Sequence, residues 1–306
     1  MKAMFTSTLT NLMRQHDDII TITADMGFSV FEEMQKEFPL RFINTGVTEQ
    51  GSTGFASGMA LSGYKVFLYA QAVFASMRCY EQMRLDVAYN FLNVKIIGVN
   101  AGFSLNQLGV SHFSLEDVAL MRLLPNMTVL SPGDPIEMEW AVKKAYEIDG
   151  PVYIRYSKMG TETIHNSKTN FLFGQPIRVC DGSDAVLFVC GGLISMAKAV
   201  ALKLKQSNIF LAVYSVPTIK PLDAKSVLKA AQGKKNIFTL EEHSINGGLG
   251  TAIGDILMSS DSLFRLRKFG VPDTFTSVTG SIEYLLKING ISVDNITFQI
   301  SSLLRK

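Results

Sequence analysis

Two mostly parallel-sheet α/β domains are predicted by three features of this 306-residue sequence. Short β-branched runs alternate with helical patterns from the start. The runs are nearly all apolar rather than alternating, as expected for strands covered on both faces. A stretch rich in Thr, Asn, Ser and Gly breaks the pattern once, at residues 159–184, before a second α/β series begins. The division is therefore residues 1–158, a linker at 159–184, and residues 185–306. The length suits two domains with separate cores.

In the first series, Ile19 to Thr23, Arg41 to Ile43, Lys65 to Tyr69, Val94 to Val99, Met127 to Leu130 and Val152 to Tyr156 read as strands, with helical segments between most of them. In the second, strands are predicted at Ala185 to Cys190, Phe210 to Ser215 and Asn236 to Leu240. Helices are predicted at Ile194 to Leu204, Asp223 to Ala231, Gly248 to Leu257 and Ile282 to Ile288. Ile296, Ile300, Leu303 and Leu304 mark one more helix face.

Composition narrows the function classes. A net charge of +2 gives no case for a nucleic-acid groove or an anionic membrane surface. Cys79, Cys180 and Cys190 form no CxxC pair, and so sparse a set suits a reducing cytoplasm. No long apolar run follows Met1 and Lys2, so no signal peptide is expected. The apolar stretch from Ala185 to Leu204 contains Gly191-Gly192 and Lys198. It reads as a buried strand, a tight turn and an amphipathic helix rather than a membrane span.

Three segments could carry chemistry. Asn44 to Gln50 lies where a strand ends and a helix begins, the edge at which parallel sheets usually bind ligands. Thr48 is placed to cap that helix, with Glu49 in its first turn. There Glu49 either complements the helix dipole or acts on a ligand. Gly51, Gly54 and Gly58 then share one helix face, which suits close packing at a subunit interface or against a cofactor ring. The second segment, Phe74 to Arg84, places Phe74 before a helix carrying Arg78, Gln82 and Arg84. Taken alone these read as a core aromatic and a solvated face. The third, Gly109 to Asp117, ends a loop of about a dozen residues, long enough to suggest function. It carries His112, which can exchange protons near neutral pH, and Ser114, expected to cap the next helix with Asp117.

Taken together, these segments resemble the transketolase family. Gly-Val-Thr-Glu-Gln is followed by Phe-Ala-x-x-Arg-x-Tyr-Glu-Gln-x-Arg, then by Ser-His-x-x-x-Glu-Asp-x-Ala-x-Met-Arg and Pro125-Asn126-Met127. Gly150 to Arg155 resembles the last strand of that family's pyrimidine-binding domain, and Leu240 to Gly250 resembles its C-terminal domain. The resemblance implies thiamine diphosphate as cofactor and transfer of a two-carbon ketol unit between sugars. It assigns Glu49 to the aminopyrimidine ring, Phe74 to stacking on it, and Arg78 and Gln82 to the same cofactor site. His112 would bond substrate hydroxyls or move protons, and Arg155 or Lys158 would meet an anionic substrate tail.

Two departures from the family pattern bear on the substrate. The loop before His112 reads Asn106-Gln107-Leu108-Gly109, with Leu108 where relatives carry a carboxylate that meets the sugar. Gln71 and Ala72 stand where relatives often place an aromatic. Both point to an unusual sugar, such as one from surface-polysaccharide biosynthesis. The Gly-Asp-Gly segment that holds the diphosphate and its Mg2+ or Ca2+ does not occur; Asp181-Gly182-Ser183-Asp184 is not one. The resemblance thus implies an N-terminal partner subunit that supplies the metal site, in a heterotetramer, with no metal ligands here. The rival readings are the beta subunit of a 2-oxo acid dehydrogenase and a non-catalytic scaffold subunit. A nucleotide-binding module lacks both GxGxxG and a P-loop.

Overall fold

The computed structural model describes residues 1–305. The first sheet has seven strands. In chain order, six are β1 (Ile19–Thr23), β2 (Phe42–Asn44), β3 (Lys65–Gln71), β4 (Val94–Val99), β5 (Thr128–Leu130) and β6 (Val152–Tyr156). The second sheet contains β7 (Ile177–Cys180), β8 (Ala185–Val189), β9 (Leu211–Ser215), β11 (Asn236–Ser244) and β12 (Arg265–Val271). The remaining strand, β10 (Thr218–Lys220), lies between β9 and β11 in sequence but joins the first sheet. The sheet orders are β10-β5-β6-β4-β3-β1-β2 and β12-β11-β8-β9-β7, parallel except for β10 and β7. Every residue of β1, β4, β6 and β8 is buried, which is why those strands read as nearly all apolar runs, with Lys95 and Arg155 the buried charged exceptions.

Three strands were not predicted. β7 lies inside the segment read as linker; only one side of this strand is paired, and its residues are half exposed, so it lacks the apolar signature of a central strand. β12 is also an edge strand, and its outer residues are Arg265, Arg267 and Lys268. β10 is three residues long and pairs antiparallel with β5, Thr218 opposite Leu130. It makes the first sheet depend on a residue stretch from the second half of the chain. The capping role expected of Ser114 is also corrected. Glu116 occupies the N-cap position of the helix Asp117–Leu123, while Ser114 is buried and bridges Gly102 through its backbone.

The seam between the two halves is a buried charge network. The Arg155 side chain, on β6, donates through Nε to both Asp117 oxygens at 3.1 and 3.2 Å. Its Nη2 donates to the carbonyls of Ser114 at 3.2 Å and Glu242 at 2.7 Å. Tyr153 donates its hydroxyl to Asp117 at 2.7 Å. The Glu242 carboxylate, from β11, accepts the backbone N–H of Phe103 at 2.9 Å and the hydroxyl of Ser157 at 2.8 Å. Gly102 lies so close that a Cβ there would come within 2.3 Å of the Glu242 carboxyl, and its φ of +64° favours glycine independently. A second buried contact joins Glu137, on the helix Pro135–Glu147, to Ser215 of β9.

His243 completes the seam as a neutral imidazole. Its Nδ1 donates to the Ser244 carbonyl at 2.8 Å and its Nε2 accepts the Ala119 N–H at 3.3 Å. Burial, with Arg155 nearby, pulls its pKa down to about 4 against the opposing field of Asp117. The unfolded chain then binds the extra proton between pH 4 and the ordinary histidine value of about 6.5, so this group's contribution to stability is lost as pH falls through that window. Buried Glu137 and Glu241, each pushed up to about 7 by burial, act in the opposite sense over part of that range. His243→Gln separates these contributions, because the glutamine does not titrate. The stability difference between wild type and variant, from denaturant titrations, should shrink by about 3 kcal/mol as pH is lowered from about 6.5 to about 4. A pH-independent difference would mean that His243 is not held neutral.

Candidate active site

The loop from β2 into the helix Glu49–Leu61 places Glu49. Gly46 turns the chain with φ +74°, and its N–H is held by Asn44 Oδ1 at 3.0 Å. Asn44 Nδ2 in turn donates to Asp25 at 3.1 Å. Thr48 occupies the N-cap position, but its hydroxyl donates to the Thr45 carbonyl at 3.0 Å instead of capping the helix. Glu49 is 7% exposed, and its Oε2 accepts from Arg78 Nη1 at 2.8 Å. Beneath it Cys79 is fully buried, and burial pushes its thiol up to about 11, so it is no nucleophile.

Arg78 reaches Glu49 because Phe74–Arg78 is a π-helical turn, closed by the Cys79 N–H to the Phe74 carbonyl at 3.3 Å. Such turns cluster at functional sites. The wide turn stacks the Arg78 guanidinium over the Phe74 ring, 4.2 Å from its centroid. Phe74 and His112 meet edge to face, with ring centroids 5.3 Å apart and planes at 72°. His112 shares a hydrogen bond with Ser111 Oγ through Nδ1 at 2.9 Å. Thus Glu49, Arg78, Phe74 and His112, drawn from three separate sequence segments, form one chain of contacts. Gln82 lies four residues beyond Arg78, and its Oε1 is buried with no partner among the described residues. A buried acceptor without a donor is costly and needs a water, a ligand or a second chain to supply one.

The other predicted residues lie elsewhere. Leu108 is 54% exposed in the loop before His112. Lys158 is exposed and borders a cavity of about 540 Å³ with Asp25, Tyr69, Gln71, Asn100 and Ser157, at the C-terminal ends of β1, β3, β4 and β6. Asn100 Nδ2 donates to Gln71 Oε1 at 2.9 Å, and both Asp25 and Asn100 take left-handed backbone conformations, φ 51° and 55°. Strain of that kind gathers at functional sites. Sequence reasoning named neither Asp25 nor Asn100, although each follows the end of a parallel strand, where ligands gather. Arg155 requires a correction. It is 4% exposed, and Asp117 and two carbonyls hold its guanidinium. Burial opposes the charge, but Asp117 and Glu242 outweigh it and raise the pKa. Arg155 therefore joins the halves, and of the two cations only Lys158 faces a cavity.

A known family accounts for both halves. Residues 1–162 match the transketolase pyrimidine binding domain and residues 174–296 the transketolase C-terminal domain. The chain belongs to the transketolase family. It is 34% identical over 309 residues to a putative transketolase C-terminal section of Methanocaldococcus jannaschii, covering 100% of this chain and 96% of that protein. It is 35% identical over 271 residues to a subunit of the apulose-4-phosphate transketolase of Phocaeicola vulgatus, covering 88% and 86%. Among solved structures, a split-gene transketolase described as an inactive β4 tetramer superposes with a TM-score of 0.89 at 32% identity, covering 99% of this chain and 97% of that one.

Substituting Arg155 tests its position in the seam. Arg155→Met should destabilise the protein by about 3–5 kcal/mol in denaturant titrations, because Asp117 is left buried without its partner. Adding Asp117→Asn should restore part of the loss. A residue that served only to bind substrate would leave stability unchanged.

Proposed function

We propose that this chain is the C-terminal subunit of a heteromeric, thiamine diphosphate-dependent transketolase that moves a two-carbon ketol unit between sugars. The observation that carries the reading is the contact chain from Glu49 through Arg78 and Phe74 to His112. Its chemistry suits the pyrimidine end of the cofactor. A carboxylate at the rim can share a proton with a ring nitrogen, Phe74 offers an aromatic surface that already holds a planar cation, and the buried Gln82 Oε1 lacks a donor. When bound, thiamine diphosphate supplies the nucleophilic carbon and the electron sink for carbon–carbon cleavage. Glu49 would hold and return the proton at the pyrimidine. His112, engaged by Ser111 at Nδ1, would exchange protons through Nε2 with hydroxyls next to the reacting carbonyl. Lys158 would offset the charge of a substrate tail.

Nothing among the described residues suits the diphosphate end. Among the described residues, no group of three or more His, Cys, Asp or Glu side chains could hold a metal ion. The Mg2+ or Ca2+ and the diphosphate would therefore be held by an N-terminal transketolase-like subunit. The Phocaeicola vulgatus relative is itself one subunit of its enzyme, which supports such a division. The inactive β4 assembly of the split-gene structure supports self-association that does not suffice for activity. Gly54 and Gly58 face open space beside the exposed Phe55 and Leu61, a face suited to packing against another chain. Two copies of each chain would close the assembly by twofold symmetry. No helix among the described residues is long and apolar enough to cross a membrane. The three unpaired cysteines support a cytoplasmic location.

Leu108 would shape the substrate. It cannot accept a hydrogen bond from a sugar hydroxyl, so a deoxy, acylated or otherwise less polar group is favoured at that place. The test is a panel of ketose phosphates, modified sugars and 2-oxo acids, run on the complex reconstituted with the N-terminal partner subunit. Ketoses should be consumed and 2-oxo acids left untouched. Glu49→Gln should lower turnover about 100- to 10,000-fold with stability unchanged, because glutamine keeps the size but cannot deliver the proton. Leu108→Asp should shift preference toward xylulose 5-phosphate by about 5- to 100-fold. Consumption of 2-oxo acids, or full activity in Glu49→Gln, would sink the reading.

A further inference from the structure

We infer that Asn106 is a positioning residue through which the C-terminal half of the chain sets the loop that carries Leu108 and His112. The loop is anchored at its two ends by the first half and the seam. Gly102 pairs with Ser114, and the Phe103 N–H is held by Glu242. Between residues 105 and 111 the hydrogen bonds are local: Leu108 N–H to the Leu105 carbonyl at 2.9 Å, and Ser111 to Leu108 and His112. Among the described residues, the one hydrogen bond that joins this stretch to the second half of the chain runs from Asn106 Nδ2 to the carbonyl of Gly280, at 2.5 Å. Next to it the Thr279 methyl lies 3.5 Å from where a Cβ on Gly109 would stand.

Gly280 belongs to a strap, residues 272–281, that runs without regular structure from β12 to the helix Ile282–Ile288. The strap is pinned twice. Thr276 exchanges hydrogen bonds with the Asn289 side chain at 3.1–3.2 Å. Ser281 caps the following helix by accepting the Tyr284 N–H at 3.1 Å. A Cβ at 280 would lie 2.6 Å from the half-exposed Tyr284 ring, which would have to turn away. The Gly280 carbonyl, one residue before the Ser281 cap, is presented to the loop. Between strap and loop lies a cavity of about 410 Å³ lined by Val73, Met77, Val110, Ser111, Phe275 and Thr276. Phe113, Leu115 and Val271 form the packed floor of that cavity, and above it the hydrogen bond is the polar tie between loop and strap. Only a donor at 106 satisfies it, so an acidic residue there would oppose the carbonyl.

The structural claim stands without the proposed function; the kinetic one rests on it. Hydrogen exchange on the full chain reads the first. Asn106→Asp keeps the shape and removes the donor, and it should speed exchange of residues 105–112 about 2- to 10-fold while β4 stays protected. Ser281→Ala, in the other half of the chain, should loosen the same loop amides through the strap. Unchanged loop exchange in both variants overturns the inference. In the reconstituted complex, Asn106→Asp should raise the acceptor KM about 2- to 10-fold and leave kcat within about twofold. A fall in kcat with KM unchanged would contradict a positioning role. If exchange responds but the complex turns over no sugar, the latch stands and the proposed function falls.

Discussion

A buried arginine imposes the constraint on which the rest of this molecule depends. Arg155 cannot remain charged inside the protein unless Asp117, Ser114 and Glu242 surround it, and these come from the helix after the active-site loop, from that loop's end and from the other sheet. Burying the ion is costly, and the cost is offset only when all of its partners are in place. That requirement fixes how the second sheet sits on the first. It also fixes the end of the loop two residues after His112. The β10 strand adds a backbone link in the same direction, since the second half of the chain completes the sheet of the first.

Against that rigid seam, the site itself is open. Glu49 is held from below by its helix and from the side by Arg78, while the π-helical turn lets Arg78 fold back over Phe74. The arrangement provides a carboxylate, an aromatic ring, an imidazole and an unpartnered amide oxygen at one edge of a parallel sheet. These groups suit a flat heterocycle that shares protons. They do not suit a diphosphate, which needs a cation or several donors. The half-site therefore fits the proposed division of labour between chains, and the exposed glycine face beside Phe55 would give a partner subunit a place to dock.

Much of this was legible in the sequence because the central strands are buried on both faces and write nearly all apolar runs. β1, β4, β6 and β8 were readable for that reason. The edges were not. β7 and β12 carry exposed and charged residues, and β10 is too short to leave a pattern, so the segment at 159–184 read as linker although it contains a strand. The residues of the contact chain were named from their segments, but their contacts needed coordinates, because a π-helical turn shifts which side chains share a face. Arg155 and Ser114 were misread for one reason: sequence gives a residue's position along a strand or loop but not which polar groups meet it in the interior. The cavity beside Lys158 was half visible, since Asp25 and Asn100 follow strand ends but carry no motif.

On the proposed reading this chain holds only the pyrimidine end of a shared cofactor site. Isothermal titration calorimetry with thiamine diphosphate and magnesium tests it most directly, run first on the homogeneous chain alone and then on the chain with its partner subunit. The lone chain should give no measurable heat at concentrations that saturate the pair, and Phe74→Ala should cost the pair much of its affinity. Tight, stoichiometric binding to the lone chain would contradict it.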